Sequence, residues 1–259
     1  LQQITLANTL AIDASFQDLE SLMKAQQTMC LLVNANTLSI SQANALAQQH
    51  LQAAEYATFS ARRAIQAKKE FVTSRLLIKS FALCFLRQHK SLANHLTLSD
   101  FQVYFDEQTL SLQLVYAKQA LPLNICLSHS GGYVLLYLST QSFAVGVDIE
   151  KYKAKRDILT LAEHFYHPLE SALVKQAGDS AFYRLWTLKE ALAKASKQGV
   201  ADLLAQNTAS RLMLYQTCSG VFSLPDEDAL YDISIVASQA GSINSVYLCH
   251  WADIADLFS

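Results

Sequence analysis

The sharpest local pattern is Gly146-Val147-Asp148-Ile149-Glu150, two carboxylates two residues apart at the end of an apolar run. Side chains alternate along a strand, so Asp148 and Glu150 project from one face. Such a pair is self-repelling unless a cation sits between its members. Mg²⁺ is the natural one, because it takes oxygen ligands and usually retains waters and phosphate oxygens. A second pattern runs from Trp186 to Lys194, where Trp186, Glu190 and Lys194 recur every fourth residue and form one helical stripe. Leu185, Leu188 and Leu192 supply an apolar stripe that can pack inward. A third is Leu127-Ser128-His129-Ser130-Gly131-Gly132, which reads as a polar turn ahead of a strand. A histidine among serines and glycines can approach a phosphate closely and donate from a ring nitrogen. Each pattern has an ordinary alternative: a solvated strand end, an i,i+4 surface pair, a turn histidine.

Positive charge is clustered. Between Arg62 and Lys79 stand Arg62, Arg63, Lys68, Lys69, Arg75 and Lys79, with Glu70 the single acid. A shorter group, Lys151, Lys153, Lys155 and Arg156, follows the carboxylate strand. A solvated helix face explains such clusters, and so does attraction for a polyanion.

The elements that must position these residues are legible from hydropathy. Residues 29–33 form a short buried strand, and 41–90 a long helical region in two or three pieces, with Ser41 as N-cap. Between 101 and 139 the period becomes two, giving strands over 101–105, 110–116 and 133–138. The order then repeats: an apolar strand over 143–150, helices over 159–175 and 180–197, and strand candidates at 211–215, 231–236 and 245–250. The expectation is an α+β fold of two similar halves, 1–142 and 143–259, with the active site in the cleft between them.

Composition sets the outer bounds. The 259 residues are 51% apolar, enough for a substantial core, and only seven are glycine and three proline. A formal charge of −2 gives no general pull toward nucleic acid. Cys30, Cys84, Cys126, Cys218 and Cys249 are odd in number and form no C-x-x-C pair, so buried free thiols in a reducing cytoplasm are expected rather than disulfides or zinc. No apolar run reaches membrane-spanning length, and the start, Leu1-Gln2-Gln3, carries no signal-peptide pattern and no initial methionine.

Taken in order, Ser128-His129-Ser130, Gly146-Val147-Asp148-Ile149-Glu150 and the run from Phe182 to Lys194 resemble the motifs of the 4′-phosphopantetheinyl transferase superfamily, in its long two-halved, surfactin-synthetase-activating type. Phe165, Pro168 and Glu170 resemble its segment between the last two motifs, and Phe71 to Lys79 its basic helix. The resemblance implies Mg²⁺ held by Asp148, Glu150 and Glu190, with coenzyme A as co-substrate. It implies phosphate contacts from Lys194, pyrophosphate contacts from Ser128 and His129, and further anchors in Arg75 and Lys118. Glu190, Lys194 and His129 become the catalytic candidates. The implied partner is an apo acyl or peptidyl carrier protein of fatty-acid, polyketide or peptide biosynthesis, and the implied state a monomer. Two departures are visible: Tyr116-Ala117-Lys118-Gln119 stands where relatives often have Tyr-Gly-Lys-Pro, and the glycine-rich turn after the last motif is reduced to Ser196-Lys197-Gln198-Gly199-Val200. The competing readings are a coenzyme A or carrier binder without activity, a Mg²⁺-dependent phosphohydrolase using Asp148 and Glu150, and a purely structural module.

Overall fold

The computed structural model describes residues 12–13, 28–89, 95–223, 229–238, 246–254 and 258. In chain order they form strands β1 (Ile12–Asp13) and β2 (Thr28–Asn34), then helices α1 (Ile40–His50), α2 (Ala53–Ala61) and α3 (Ile65–His89). Strands β3 (Phe101–Asp106), β4 (Ser111–Tyr116), β5 (Gln119–Ala120), β6 (Asn124–Ser130) and β7 (Tyr133–Ser139) follow. Next come β8 (Val145–Lys151) and helices α4 (Ile158–Phe165), α5 (Pro168–Ala177), α6 (Asp179–Ser196), α7 (Val200–Leu204) and α8 (Thr208–Leu212). The chain closes with β9 (Gln216–Ser223), β10 (Leu230–Ala237), β11 (Val246–His250) and α9 (Trp251–Ile254). The α+β expectation holds.

The chain divides into two compact units, one containing Ala11–Ser142 with Ser245–Ser259, the other containing Phe143–Asn244. In the first, the described strands form a sheet ordered β1-β11-β2-β7-β6 and a smaller one ordered β3-β4-β5. Strand β7 reads Tyr-Val-Leu-Leu-Tyr-Leu-Ser and is buried at all seven positions. A nearly continuous apolar run of this kind is what a strand covered on both faces requires. Helix α3 packs on β7 through Val72, Leu76 and Phe81, all in one core. The start of α1 is set by a capping box, with Ser39 and Gln42 exchanging side-chain and backbone hydrogen bonds. The cap is therefore Ser39, two residues before the expected Ser41. The last strand, β11, pairs parallel with β2 and so belongs to the sheet of the first unit.

In the second unit the sheet order is β8-β10-β9, both pairings antiparallel. Helix α6 packs across β8 and β10, and its Leu188, Ala191, Leu192 and Ala195 share a core cluster with Val236. Residues 211–215, expected as a strand, instead end α8 and turn, and the strand begins at Gln216. Met213 and Leu214 are highly exposed there, so their apolar character marks no buried strand.

Candidate active site

Strand β8 and helix α6 build the acidic centre of the second unit. Their approach is close because residue 146 is glycine: a Cβ there would lie 1.8 Å from the Ala191 carbonyl oxygen. The strand thereby lies directly under the turn of helix that carries Glu190. Asp148 is buried and accepts from Lys194 Nζ at 2.9 Å, while the same ammonium donates to the Val147 carbonyl at 2.9 Å. Glu150, on the same strand face, accepts from Lys153 Nζ at 2.8 Å and Arg156 Nη1 at 3.2 Å. The Arg156 guanidinium lies over the rings of Trp186 and Phe182, 4.8 Å and 5.1 Å from their centroids.

Glu190 is half-buried, and the expected stripe is visible along α6, with Trp186, Glu190 and Lys194 partly exposed between buried neighbours. Burial pushes the Glu190 carboxyl above the usual carboxylate range, the Asp148 charge adds to this, Lys194 opposes it, and Glu150 pushes it further. Its electrostatic surroundings are thus the other two acids and the lysine of the motif. Beside them on β10, across the ladder from Glu150, Asp232 is fully buried, its two oxygens sharing the Arg184 Nε–H at 3.0 and 3.1 Å and one of them accepting from Thr187 Oγ1 at 2.7 Å. Sequence reading missed Asp232, since its neighbours in the chain give no sign of the helix that neutralises it.

Whether this donor set suits a divalent ion can be judged from its chemistry. Three carboxylates, one of them held out of its normal ionisation range by burial and by the others, match a hard cation with oxygen ligands. Protein cations already serve two of them: Lys194 for Asp148, Lys153 and Arg156 for Glu150. Among the described residues no three His, Cys, Asp or Glu side chains are gathered closely enough to form a ready-made metal centre. The donors fit Mg²⁺ by type, and binding would set the metal against the existing ammonium and guanidinium contacts. A cavity of about 380 Å³ in the same unit is lined by Leu185, Leu188 and Arg184 with Leu173 and Val221. It opens beside apolar positions of α6, and none of the three acids lines it.

The other expected site residues lie in the first unit. Ser128 and His129 are not a turn but the end of β6, and the hairpin turn is Gly131-Gly132, both with positive φ. The His129 ring is half-exposed, with Nδ1 3.0 Å from Glu70 Oε2. Arg75 is buried in α3, and desolvation lowers its pKa to about 10. Its guanidinium lies 4.3 Å from the Phe71 ring centroid, with Arg62 at 4.6 Å from the same ring. The Nε atoms of both arginines are buried without a hydrogen-bond partner, a condition an anion would relieve. Arg62 therefore joins Arg75 as a candidate. Lys79, counted in the same basic cluster, is fully buried instead, bound to Glu55 at 2.7 Å and the His50 carbonyl at 2.8 Å. Lys118 is exposed at the tip of the β4–β5 hairpin, where Ala117 and Lys118 both take positive φ as a two-residue turn of type I′ demands. The departure from glycine at 117 thus leaves the turn formed.

Residues 144–219 match the family model of the 4′-phosphopantetheinyl transferase superfamily. That span holds Asp148, Glu150, Glu190 and Lys194, the residues that β8 and α6 bring together. Among curated relatives, slr0495 of Synechocystis sp., provisionally named a 4′-phosphopantetheinyl transferase, is 39% identical over 83 residues, 30% of this chain and 33% of its own. The 4′-phosphopantetheinyl transferase HetI of Nostoc sp. is 27% identical over 157 residues, 56% of this chain and 65% of its own. The chain thus spans less than two thirds of either relative. Family model and relatives support one superfamily and one enzyme class.

Proposed function

We propose that this chain transfers the 4′-phosphopantetheine group of coenzyme A to a serine of an apo acyl or peptidyl carrier protein, releasing 3′,5′-ADP. The observation that carries the reading is the meeting of β8 and α6 inside the segment that matches the superfamily, where Lys194 of the helix donates to Asp148 of the strand at 2.9 Å. The acceptor Oγ forms a bond to the β-phosphorus of coenzyme A as the bond to the 3′,5′-ADP oxygen breaks, that oxygen keeping the electron pair. The serine proton passes to Glu190, directly or through an intervening water. Lys194 donates to the phosphates while Asp148 fixes its position. Ser128, His129, Arg75 and Lys118 are assigned to coenzyme A phosphates. Mg²⁺, held by Asp148, Glu150 and Glu190, would offset the charge that grows on the leaving phosphate.

The two-halved type is part of the proposal, and topology supports it. In each unit the strand before the helices lies beside the later strand of a hairpin that follows them, in the order β2-β7-β6 within the five-stranded sheet of the first unit and β8-β10-β9 in the second, the first unit adding β3-β4-β5 between its helices and that hairpin. Each also buries one lysine of its long helix against a glutamate of the preceding helix, Lys79 with Glu55 and Lys189 with Glu170. In both, the second glutamate oxygen accepts a backbone N–H, from Val103 and Thr208. A monomeric, cytoplasmic enzyme follows from the same proposal. No described helix is long and apolar enough to cross a membrane.

The test is mass spectrometry of several apo carriers incubated with the protein, coenzyme A and Mg²⁺. Gain of the phosphopantetheine arm on serine, abolished by EDTA, is the expected result. Cleavage of coenzyme A without an acceptor would point to a phosphohydrolase, and binding without transfer to a passive carrier of the nucleotide.

A further inference from the structure

We infer that Glu70 is a positioning residue, which fixes the protonation pattern of His129 and so turns its imidazole into a cationic phosphate donor. The inference rests on the assignment of His129 to coenzyme A phosphates. Glu70 is the single acid of the Arg62–Lys79 segment, yet it is 6% exposed, where a solvated partner for the surrounding cations would be open. Its two oxygens divide the work. Oε1 accepts the Gly132 backbone N–H at 2.9 Å, and Oε2 faces His129 Nδ1 at 3.0 Å. A carboxylate only accepts, so the ring nitrogen facing it carries the proton. The other nitrogen, Nε2, then presents a lone pair when the ring is neutral and a donor only when the ring is doubly protonated. A phosphate oxygen is itself an acceptor, so contact at Nε2 selects the imidazolium, with the Glu70 carboxylate on one side and the phosphate on the other. Such charge-assisted bonds are about twice as strong as neutral ones.

The platform under this pair is rigid. The Ala35 N–H donates to the Gly132 carbonyl at 2.9 Å, Asn36 Nδ2 donates to the Gly131 carbonyl at 3.2 Å, and Lys69 Nζ donates to the Asn36 carbonyl at 3.1 Å. Gly132 has φ +92°, and a Cβ there would collide with the Asn36 side chain. The hairpin tip, the histidine ring and helix α3 are therefore locked together through one carboxylate.

The experiment uses Glu70→Gln, His129→Ala and the double variant in the full chain, with coenzyme A affinity measured by calorimetry in Mg²⁺ and ¹⁵N spectra of the His129 ring. Glutamine keeps an acceptor for Gly132 but can turn its amide N–H toward Nδ1, which moves the ring proton to Nε2 and removes the charge. The expected results are about tenfold weaker binding in Glu70→Gln, Nδ1 protonated in the unaltered protein and deprotonated in the variant, and a double variant no weaker than His129→Ala. Losses that add in the double variant, or an unaltered protein whose Nδ1 is unprotonated, overturn the inference. If Glu70→Gln does not fold, the spectrum of the unaltered protein decides alone. Unaltered protein that binds no coenzyme A overturns the transferase reading and this inference together. Binding weakened by His129→Ala but untouched by Glu70→Gln overturns only the inference.

Discussion

Glu190 sits where burial and two neighbouring carboxylates act in the same direction, with Lys194 as the opposing charge. A carboxyl whose folded-state pKa lies above its unfolded value binds more protons when folded. Its ionised form is then a standing cost, growing as pH rises through the folded pKa and absent below the unfolded one. Glu190→Gln is therefore expected to raise stability at pH 7 in EDTA, and the gain should shrink to nothing as pH falls below about 4, the unfolded carboxylate range. Under the proposed function Mg²⁺ is expected to raise the melting temperature of the unaltered protein, and the same change is expected to abolish that rise and to slow transfer by about 10²–10³. Denaturant titration across pH, thermal melts with and without Mg²⁺, and a transfer assay read the three effects separately. A variant that is less stable than the parent at neutral pH would contradict the charge arrangement described for α6.

At the scale of elements, the contact between β8 and α6 is what brings two separate motifs together, with Lys194 of the helix donating to Asp148 of the strand. It depends on Gly146, because any side chain there enters the space of the Ala191 carbonyl. Gly146→Ala must push the helix off the strand or bend it, and overpacking of this kind costs about 1–3 kcal/mol. The expected outcome is a fall in denaturation midpoint of that order, accompanied by loss of Mg²⁺ response, since the separation grows between Glu190 and Asp148. The α4–α6 segment was legible beforehand because its apolar residues recur at helical spacing and Gly178, at positive φ, separates α5 from α6. The failure at 211–215 has an equally physical cause. Leu212, Met213, Leu214 and Tyr215 form an apolar run, but the run closes a short helix, and two of its members face solvent.

At the scale of the whole molecule, each unit carries a buried lysine–glutamate pair that ties its long helix to the preceding one. In the first unit the pair is closed on all sides: Lys79 also donates to the His50 carbonyl, and Glu55 also accepts from Gln52 and Val103. Desolvation works against the Lys79 charge, and Glu55 opposes that effect. Removing one partner strands the other in the core, so Lys79→Met is expected to cost about 3–5 kcal/mol. Chemical denaturation measures it, and a loss below about 1 kcal/mol would mean that Glu55 finds another donor or becomes neutral at little cost.

Periodicity and motif spacing alone determined the α+β class, the helix that carries Trp186, Glu190 and Lys194, and the shared face of Asp148 and Glu150. These are local properties, fixed by side-chain alternation over a few residues. What the tertiary structure decided is which charges are spent internally and which remain for a ligand. Lys79 and Arg75 lie four residues apart on α3, yet one is bound to a glutamate 24 residues upstream and the other keeps a buried Nε without a partner. Glu70 reaches a hairpin 62 residues downstream, and Lys194 an aspartate 46 residues upstream. Composition cannot reveal such pairings, because the desolvation that makes a charge seek a partner exists only once the chain has packed.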